Sequence, residues 1–334
     1  MAFPFRSCDA LLLFNPDAPF GANANFAYHS GTDSDNTVLL WTKKGKTLIT
    51  AKMNQAKCSL SPHRVISVER GSKISEAIRK LLPKGKIHVG LDMESISAQN
   101  YVRIKSVITA NFLDASEELS SLRVQKSAAE ISKIRKACRL SAGILESLEL
   151  GLSMSEQDVA MQLSIKTAEA GAQFAFPPIV ATGKNSSMPH HTPTGKKLSG
   201  IVLVDFGVKH EGYCSDLTRC FFLGPCKKEK EKYEEAMSIF DEIIRALPSC
   251  KTAGGIAKKS EQIVSSHGWP AMVHAIGHGL GLEVHEAPHL HPSSKERLPA
   301  GATLAIEPGW YGEKFGVRYE NDIVIGGRGA KVLL

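Results

Sequence analysis

Four carboxylates lie inside apolar, strand-like segments near the C-terminal end of this chain, and no other feature constrains its fold as strongly. Asp205 is in IVLVDFGV (201–208), Asp216 in YCSDLTRCFF (213–222), Glu307 in TLAIEP (303–308) and Glu320 in GVRYENDIVI (316–325). Uncompensated charge in such surroundings is costly. Lys209-His210-Glu211-Gly212 forms a turn between the first two segments. A hairpin centred between His210 and Glu211 puts Asp205 opposite Asp216, with Cβ atoms roughly 4.5–5.5 Å apart. One centred between Glu313 and Lys314 puts Glu307 opposite Glu320, although its Gly-rich connection leaves room for a bulge. Like charges facing across strands repel, so both hairpins require a cation.

His278, in Gly277-His278-Gly279-Leu280-Gly281, adds one nitrogen ligand to these oxygen donors. A mixed set of this kind suits Mn, Co, Fe or Zn better than Ca or Mg. Two bridging carboxylates would let two ions sit about 3.5–4 Å apart with a hydroxide between them. Taken singly, each acid reads as a solvated residue near a turn. Two facing pairs plus a glycine-flanked histidine favour a metal centre.

The chain's 334 residues are long for one core and predict two domains. With 43% hydrophobic and 22% charged residues, the composition is that of a globular protein. Apolar runs fall far short of the ~20 residues that span a bilayer. Asp9 interrupts the start, and LLLF (11–14) is too short for a signal peptide's apolar stretch. Seven cysteines without a CxxC pair predict a reducing, cytoplasmic setting. Cys214 and Cys220 flank Asp216 at even offsets but read as packing residues. The net charge of +7 comes largely from dispersed lysines and from CKKEKEKYEE (226–235), where acids interleave. That pattern argues against nucleic-acid binding. It suggests instead the solvated start of a helix that buries Tyr233, Met237, Phe240, Ile244 and Leu247.

Residues 1–120 read as a small α/β domain. Strands are expected at 10–14, 36–42, 46–50 and 86–92, with helices at 74–82 and 95–108. The polar stretch 114–127 reads as the boundary. Ser127 and Glu130 form a capping box for a helix with Ile131, Ile134, Cys138, Ser141, Leu145 and Leu148 at helical spacing. Ser153 and Glu156 suggest a second box before a helix running to about Ala170. A strand at 177–183, the Asp205/Asp216 hairpin, helices near 228–247 and 252–266, and the Glu307/Glu320 hairpin complete the second domain, 123–334.

His285-Glu286-Ala287-Pro288-His289 matches the zincin pattern HExxH letter for letter. The motif requires a helix, so that both histidines share a face, and Pro288 prevents one. His285 can still re-enter the cleft if the segment LEVH is extended. His190 sits in a polar loop after a strand, a common place for a functional side chain. His191 beside it must then point elsewhere. Arg318 shares a strand face with Glu320 and can balance the acids or grip a substrate carboxylate. His274, four residues before His278, reads on its own as a structural hydrogen-bonding residue.

The motifs VLVDFGV…YCSDLTRCF, HAIGHGLGLEVHEAP, AIEPGWY and GVRYEN, with the helix KSAAEISKIRKAC, resemble the pita-bread metallopeptidases. These include Xaa-Pro dipeptidase (prolidase), aminopeptidase P and methionine aminopeptidase. The resemblance is strong over 123–334. It is weaker over 1–120, where NFAYHSG and HVGLDMESIS look like the prolidase and creatinase N-terminal domain. It implies a pita-bread catalytic domain behind a smaller α/β domain that limits substrate length and supports a homodimer. It also implies two divalent ions per subunit, Mn or Co first, with Zn or Fe as alternatives. Asp205 would chelate one ion, His278 and Glu307 the other, and Asp216 and Glu320 would bridge. Glu307 would be the general base, His190 and His285 would orient substrate and steady the oxyanion, and His274 and Arg318 would line the pocket. The implied reaction is hydrolysis of Xaa-Pro dipeptides, with release of the first residue from longer Xaa-Pro peptides as the alternative. A non-catalytic or metal-free creatinase-like protein would share the fold, although the complete ligand set argues against it. Two departures concern the pocket wall. Asn321 replaces an aspartate common after the last glutamate, and the Glu307–Glu320 turn looks one residue short.

Overall fold

A computed structural model describes residues 3–16, 23–327 and 329–334, and the chain divides into two compact units, Met1–Arg123 and Val124–Leu334. The first unit is built on one mixed sheet. Its strands are β1 (Ala10–Asn15), β2 (Thr37–Thr42), β3 (Gly45–Ala51), β4 (Arg64–Val68), β5 (His88–Leu91) and β6 (Asn111–Asp114), in the order β4-β3-β2-β1-β5-β6. The run ALLLF is apolar without alternation because both faces are covered. Leu12 packs with Ile78 of α3 (Ile74–Leu81) and Ile104 of α4 (Ala98–Val107). On the other face, Leu11 and Leu13 pack with Phe26, Cys58 and Leu119 of α1 (Ala24–Ser30), α2 (Gln55–Cys58) and α5 (Ser116–Ser121). The stretch 114–127 is therefore not a plain linker, since its Glu- and Ser-rich segment forms α5 and buries Leu119.

In the second unit the predicted Ser127/Glu130 capping box starts α6 (Ala128–Glu146). The second box is displaced by two residues. Ser155 and Asp158 cap α7 (Glu156–Glu169), while Glu156 turns inward and is fully buried. Three short sheets follow. Strands β7 (Gln173–Phe174), β10 (Val208–His210) and β11 (Tyr213–Cys214) form one, and β8 (Ile179–Thr182), β9 (Gly200–Phe206) and β12 (Leu217–Leu223) form another. Later strands β16 (Gly309–Tyr311) and β17 (Gly316–Arg318) pair with each other. The largest sheet has the order β14-β13-β15-β18-β19, from β13 (Gly277–Gly279), β14 (Glu286–His289), β15 (Thr303–Ile306), β18 (Asn321–Gly326) and β19 (Gly329–Val332).

Alternation along β9 separates two cores. Val202, Val204 and Phe206 pack with α6 and α7. Ile201 and Leu203 join α8 (Lys227–Ala246) and α9 (Ala253–Ser266) with Leu304 and Ile323. On α8 the buried stripe is Ala236, Ile239, Phe240 and Ile243, and the following Leu247 is also buried. Met237 is exposed and Tyr233 and Ile244 are half-buried, so the stripe is rotated from the predicted one. Among the described residues no helix is long and apolar enough to cross a membrane, and all seven cysteines are free.

Candidate metal centre

Two strand pairs deliver the acids. Glu211 and Gly212 both have positive φ, 49° and 84°, and His210 pairs with Tyr213. This is the two-residue turn whose twist suits a tight hairpin. It centres the ladder between Glu211 and Gly212, so Asp205 faces Thr218 rather than Asp216. The expected register is thus wrong by two residues, because the turn places its left-handed positions one residue later. Asp216 stays on the same face as Asp205, as its diagonal neighbour. Gly207 accommodates the crossing there, since a Cβ would lie 1.9 Å from Ser215 O. Where the ladder breaks, Ser141 and Ser215 hydroxyls accept the Val208 N–H at 3.1 Å.

The second register is as expected. Ile306 pairs with Asn321 and Gly309 with Arg318, and Tyr319 N donates to Pro308 O, which leaves Glu307 and Glu320 opposite each other. His278 enters from β13 beside Ala305. Its glycine neighbours permit this close approach: a Cβ on Gly277 would lie 2.0 Å from Ala305 O, and one on Gly279 2.5 Å from Ala287 O.

The ligand atoms of Asp205, Asp216 and Glu320 lie within 4.8 Å of one another, as do those of His278, Glu307 and Glu320. His278 Nε2 is 3.5 Å from Asp216 and 3.9 Å from Glu307, while Nδ1 lies 3.2 Å from Gly279 O. The strand carbonyl thus takes the Nδ1 proton and leaves Nε2 aimed at the acids. Burial pushes the Asp216 carboxyl well above its usual range, and the charges of Glu320, Asp205, Asp322 and Glu307 add to this. Burial does the same to Glu320, reinforced by Asp205 and Glu307. Asp205 Oδ1, Asp216 Oδ1 and Glu320 Oε1 are buried without a hydrogen-bond partner. Three orphaned carboxylate oxygens converging beside an imidazole nitrogen fit divalent cations.

A fixed cation supports one side. Arg318, 2% exposed, pairs with Asp205 through Nη2, donates from Nε to Thr218 Oγ1 at 3.0 Å and from Nη1 to Tyr311 OH at 2.6 Å. A guanidinium only donates, so the Tyr311 proton goes to His274 Nε2, 2.9 Å away. His274 Nδ1 lies 2.7 Å from Ala275 O and 3.5 Å from Glu307. Burial lowers the His274 pKa and the nearby Glu307 charge opposes that shift.

His285 is exposed at the rim, but its ring packs 4.1 Å from that of His278. Lost hydration on that face, with the His278 charge, lowers its pKa to about 4. With Asp216 and His278 it forms a third group whose ligand atoms lie within 4.8 Å of one another. His190 is exposed, and its charge contributes to lowering both His274 and His285. His191 turns away to Glu156, 2.9 Å distant.

The HExxH segment is strand β14, not a helix. His289 pairs across the strands with His278 and is exposed, and Glu286 is buried in an ion pair with Lys126 at 2.8 Å. Cys214 and Cys220 donate to Leu282 O and Arg318 O, and burial raises both thiols, which suits packing rather than ligation.

Three further residues support the cluster without a sequence pattern that assigns them. Thr218 donates to Glu320 Oε2 at 2.6 Å, and a correct hairpin register would have singled it out. Tyr311 follows Glu307 by four residues in AIEPGWY, but nothing local marks it. Asp322, two residues beyond Glu320, accepts the Asp216 N–H at 2.8 Å and the Cys138 S–H at 3.2 Å, and burial lifts its pKa to about 7. Asn321 Oδ1 accepts from Arg219 at 2.7 Å, so the residue after the last glutamate serves the strand and not the cluster.

Residues 132–326 match metallopeptidase family M24, and residues 6–125 match the creatinase/prolidase N-terminal domain. The chain belongs to metallopeptidase family M24, whose peptidases use divalent metals, and it has their pita-bread fold. An uncharacterized peptidase of Methanocaldococcus jannaschii is 34% identical over 219 residues, 62% of this chain and 62% of that protein. The Xaa-Pro dipeptidase of Pyrococcus horikoshii is 28% identical over 98% of this chain and 93% of its own length. Among solved structures, prolidase from Pyrococcus horikoshii superposes with a TM-score of 0.85 at 28% identity, covering 98% of this chain and 94% of that one. X-Pro aminopeptidase from Thermotoga maritima gives 0.83 at 27%, covering 98% and 95%.

Proposed function

We propose that this chain is a dinuclear Xaa-Pro dipeptidase. The three orphaned, buried carboxylate oxygens beside His278 Nε2 carry the metal part of this reading. The likeness to Xaa-Pro dipeptidases over nearly the whole chain supports the substrate class. Asp205, Asp216, His278, Glu307 and Glu320 would hold two ions, of which Mn or Co suits the mixed donor set. Bound there, divalent ions acidify water and polarise the scissile carbonyl.

The protein's own groups do the rest. Glu307, half-buried and on the His274 side of the cluster, accepts the proton of the attacking water and passes it to the leaving amine. His285, kept neutral, and His190 donate toward the carbonyl oxygen as charge develops. Arg318 and Tyr311 hold Asp205 and His274 in place. The first unit limits substrate length, and the active species is a cytoplasmic homodimer.

Release of the first residue from longer Xaa-Pro peptides is the second reading, supported by the likeness to the Thermotoga X-Pro aminopeptidase. Assaying the metal-loaded protein on Ala-Pro, Met-Pro, an Xaa-Pro-Xaa tripeptide and Met-Ala-Ser separates them. Turnover confined to the dipeptides supports the first reading. Faster tripeptide cleavage moves the assignment to the second, and cleavage of Met-Ala-Ser alone overturns both.

A further inference from the structure

Glu156 has no place in the metal cluster, yet its carboxylate accepts five hydrogen bonds. It is fully buried at the first turn of α7. Its Oε1 accepts from Thr182 N and Asn185 Nδ2, both at 2.8 Å. Its Oε2 accepts from His191 Nε2 at 2.9 Å, Thr194 N at 2.9 Å and Thr194 Oγ1 at 2.6 Å. Burial alone would raise this carboxyl, but the bonds from Thr194, His191, Thr182 and Asn185 outweigh it and hold the pKa below the usual range. A carboxylate taken out of water is an expensive staple unless its donors are fixed in place.

The donors flank one segment. Thr182 and Asn185 lie at its start, His191 and Thr194 at its end, and His190 lies between. The same segment also packs on β17, the strand that carries Arg318. Ser186 Oγ accepts from Gly316 N at 2.9 Å, and Pro189 O lies 3.5 Å from Arg318 Nη1. A Cβ on Gly316 would lie 2.2 Å from Ser186 O, so β17 and the segment are in contact.

We propose that Glu156 is a positioning residue that clamps both flanks of the 183–194 segment and so presents His190 to the metal centre. The clamp needs the negative charge and not only the shape. The N–H groups of Thr182 and Thr194 sit on opposite oxygens, so a glutamine amide turned either way sets its nitrogen against one of them. The catalytic consequence rests on the dipeptidase reading, and the clamp itself does not.

Two measurements on full-length Glu156→Gln separate these claims. Amide hydrogen exchange should be at least about tenfold faster across 183–194 and unchanged in β9. Unchanged protection of that segment overturns the clamp whether or not the protein is active. On Ala-Pro, kcat/KM should fall on the order of 10²-fold with metal content retained, the scale of a displaced substrate-positioning group. In a His190→Ala background the same substitution should cost less than about twofold, since its effect passes through His190. Losses that simply multiply overturn the positioning role. If the wild-type protein cleaves no peptide, the dipeptidase reading fails alone and the exchange result decides the clamp. Should Glu156→Gln not fold, Thr194→Val removes one donor of the five and is judged by the same criteria with smaller effects.

Discussion

The two acid-bearing strand pairs look alike in sequence but are built differently. In β15/β18 the ladder runs in one register from Val324 through Pro308 to β16/β17, and Glu307 and Glu320 stand face to face. In β9/β12 the tight turn at Glu211-Gly212 sets a register in which Asp205 meets Thr218, and Asp216 is diagonal to it. Moving a turn's centre by one residue changes each cross-strand partner by two and preserves the face, whereas a one-residue slip would turn every side chain over. Both arrangements therefore deliver their acids to one cluster. Thr218, which stands opposite Asp205 in place of Asp216, ties the two pairs together, since its hydroxyl donates to Glu320 and accepts from the Arg318 guanidinium that holds Asp205.

The largest expected effect tests the shared face. Asp216→Ala should lose activity to background and bind less than the full complement of metal, while Asp205→Ala should weaken one site more than the other. Two ions per chain and full turnover in Asp216→Ala would separate the two hairpins chemically. Next comes Glu307→Gln, which should lower kcat by about 10²–10⁴ in metal-replete protein with KM little changed. Near-normal turnover would remove the facing pair from proton transfer.

His285→Ala should keep both ions and lose roughly 10²–10³ in kcat, the scale of one oxyanion donor. His289→Ala should be mild, because His289 is exposed on β14. Equal metal loss in the two variants would mean that HExxH binds metal after all. Thr218→Val probes the link between the two pairs. It leaves Glu320 Oε2 without its donor and Arg318 Nε without its acceptor, a cost of about 1–3 kcal/mol per stranded group, read as a lower melting temperature. A neutral Thr218→Val would favour the register in which Asp216 faces Asp205.

The smallest effect is electrostatic. Asp216, Glu320 and Asp322 have carboxyl pKa values raised by burial, Asp322 from 3.8 to about 7. Such groups bind protons more tightly folded than unfolded. Their contribution to stability is therefore complete below the unfolded value and is lost as pH rises through the folded one. The melting temperature of metal-free protein should fall from pH 4 to 7, and saturating Mn²⁺ should flatten that slope. A metal-free protein that becomes more stable over this range would contradict the buried acid cluster.

Much of this was legible in the sequence because charge inside apolar strands is hard to explain any other way. All five proposed ligands, the Ser127/Glu130 box and the strand character around Pro288 follow from local rules. Whatever depended on a turn's exact dihedrals did not. Glu211 is an uncommon residue at positive φ, so the hairpin centre was misplaced and Thr218 was overlooked. Ser153-Met154-Ser155 offers two capping serines, and the wrong one hid the inward turn of Glu156. Tyr311 and Asp322 acquire their partners only through tertiary contact, which no short motif encodes.

On the proposed reading, both hairpins and His278 make one centre for two cations. Anomalous diffraction at the manganese edge from crystals grown with Mn²⁺ tests it most directly. Two peaks are expected about 3.5–4 Å apart, in contact with Asp205, Asp216, His278, Glu307 and Glu320. No peak there, or a single peak held by His285 and His289, would contradict it.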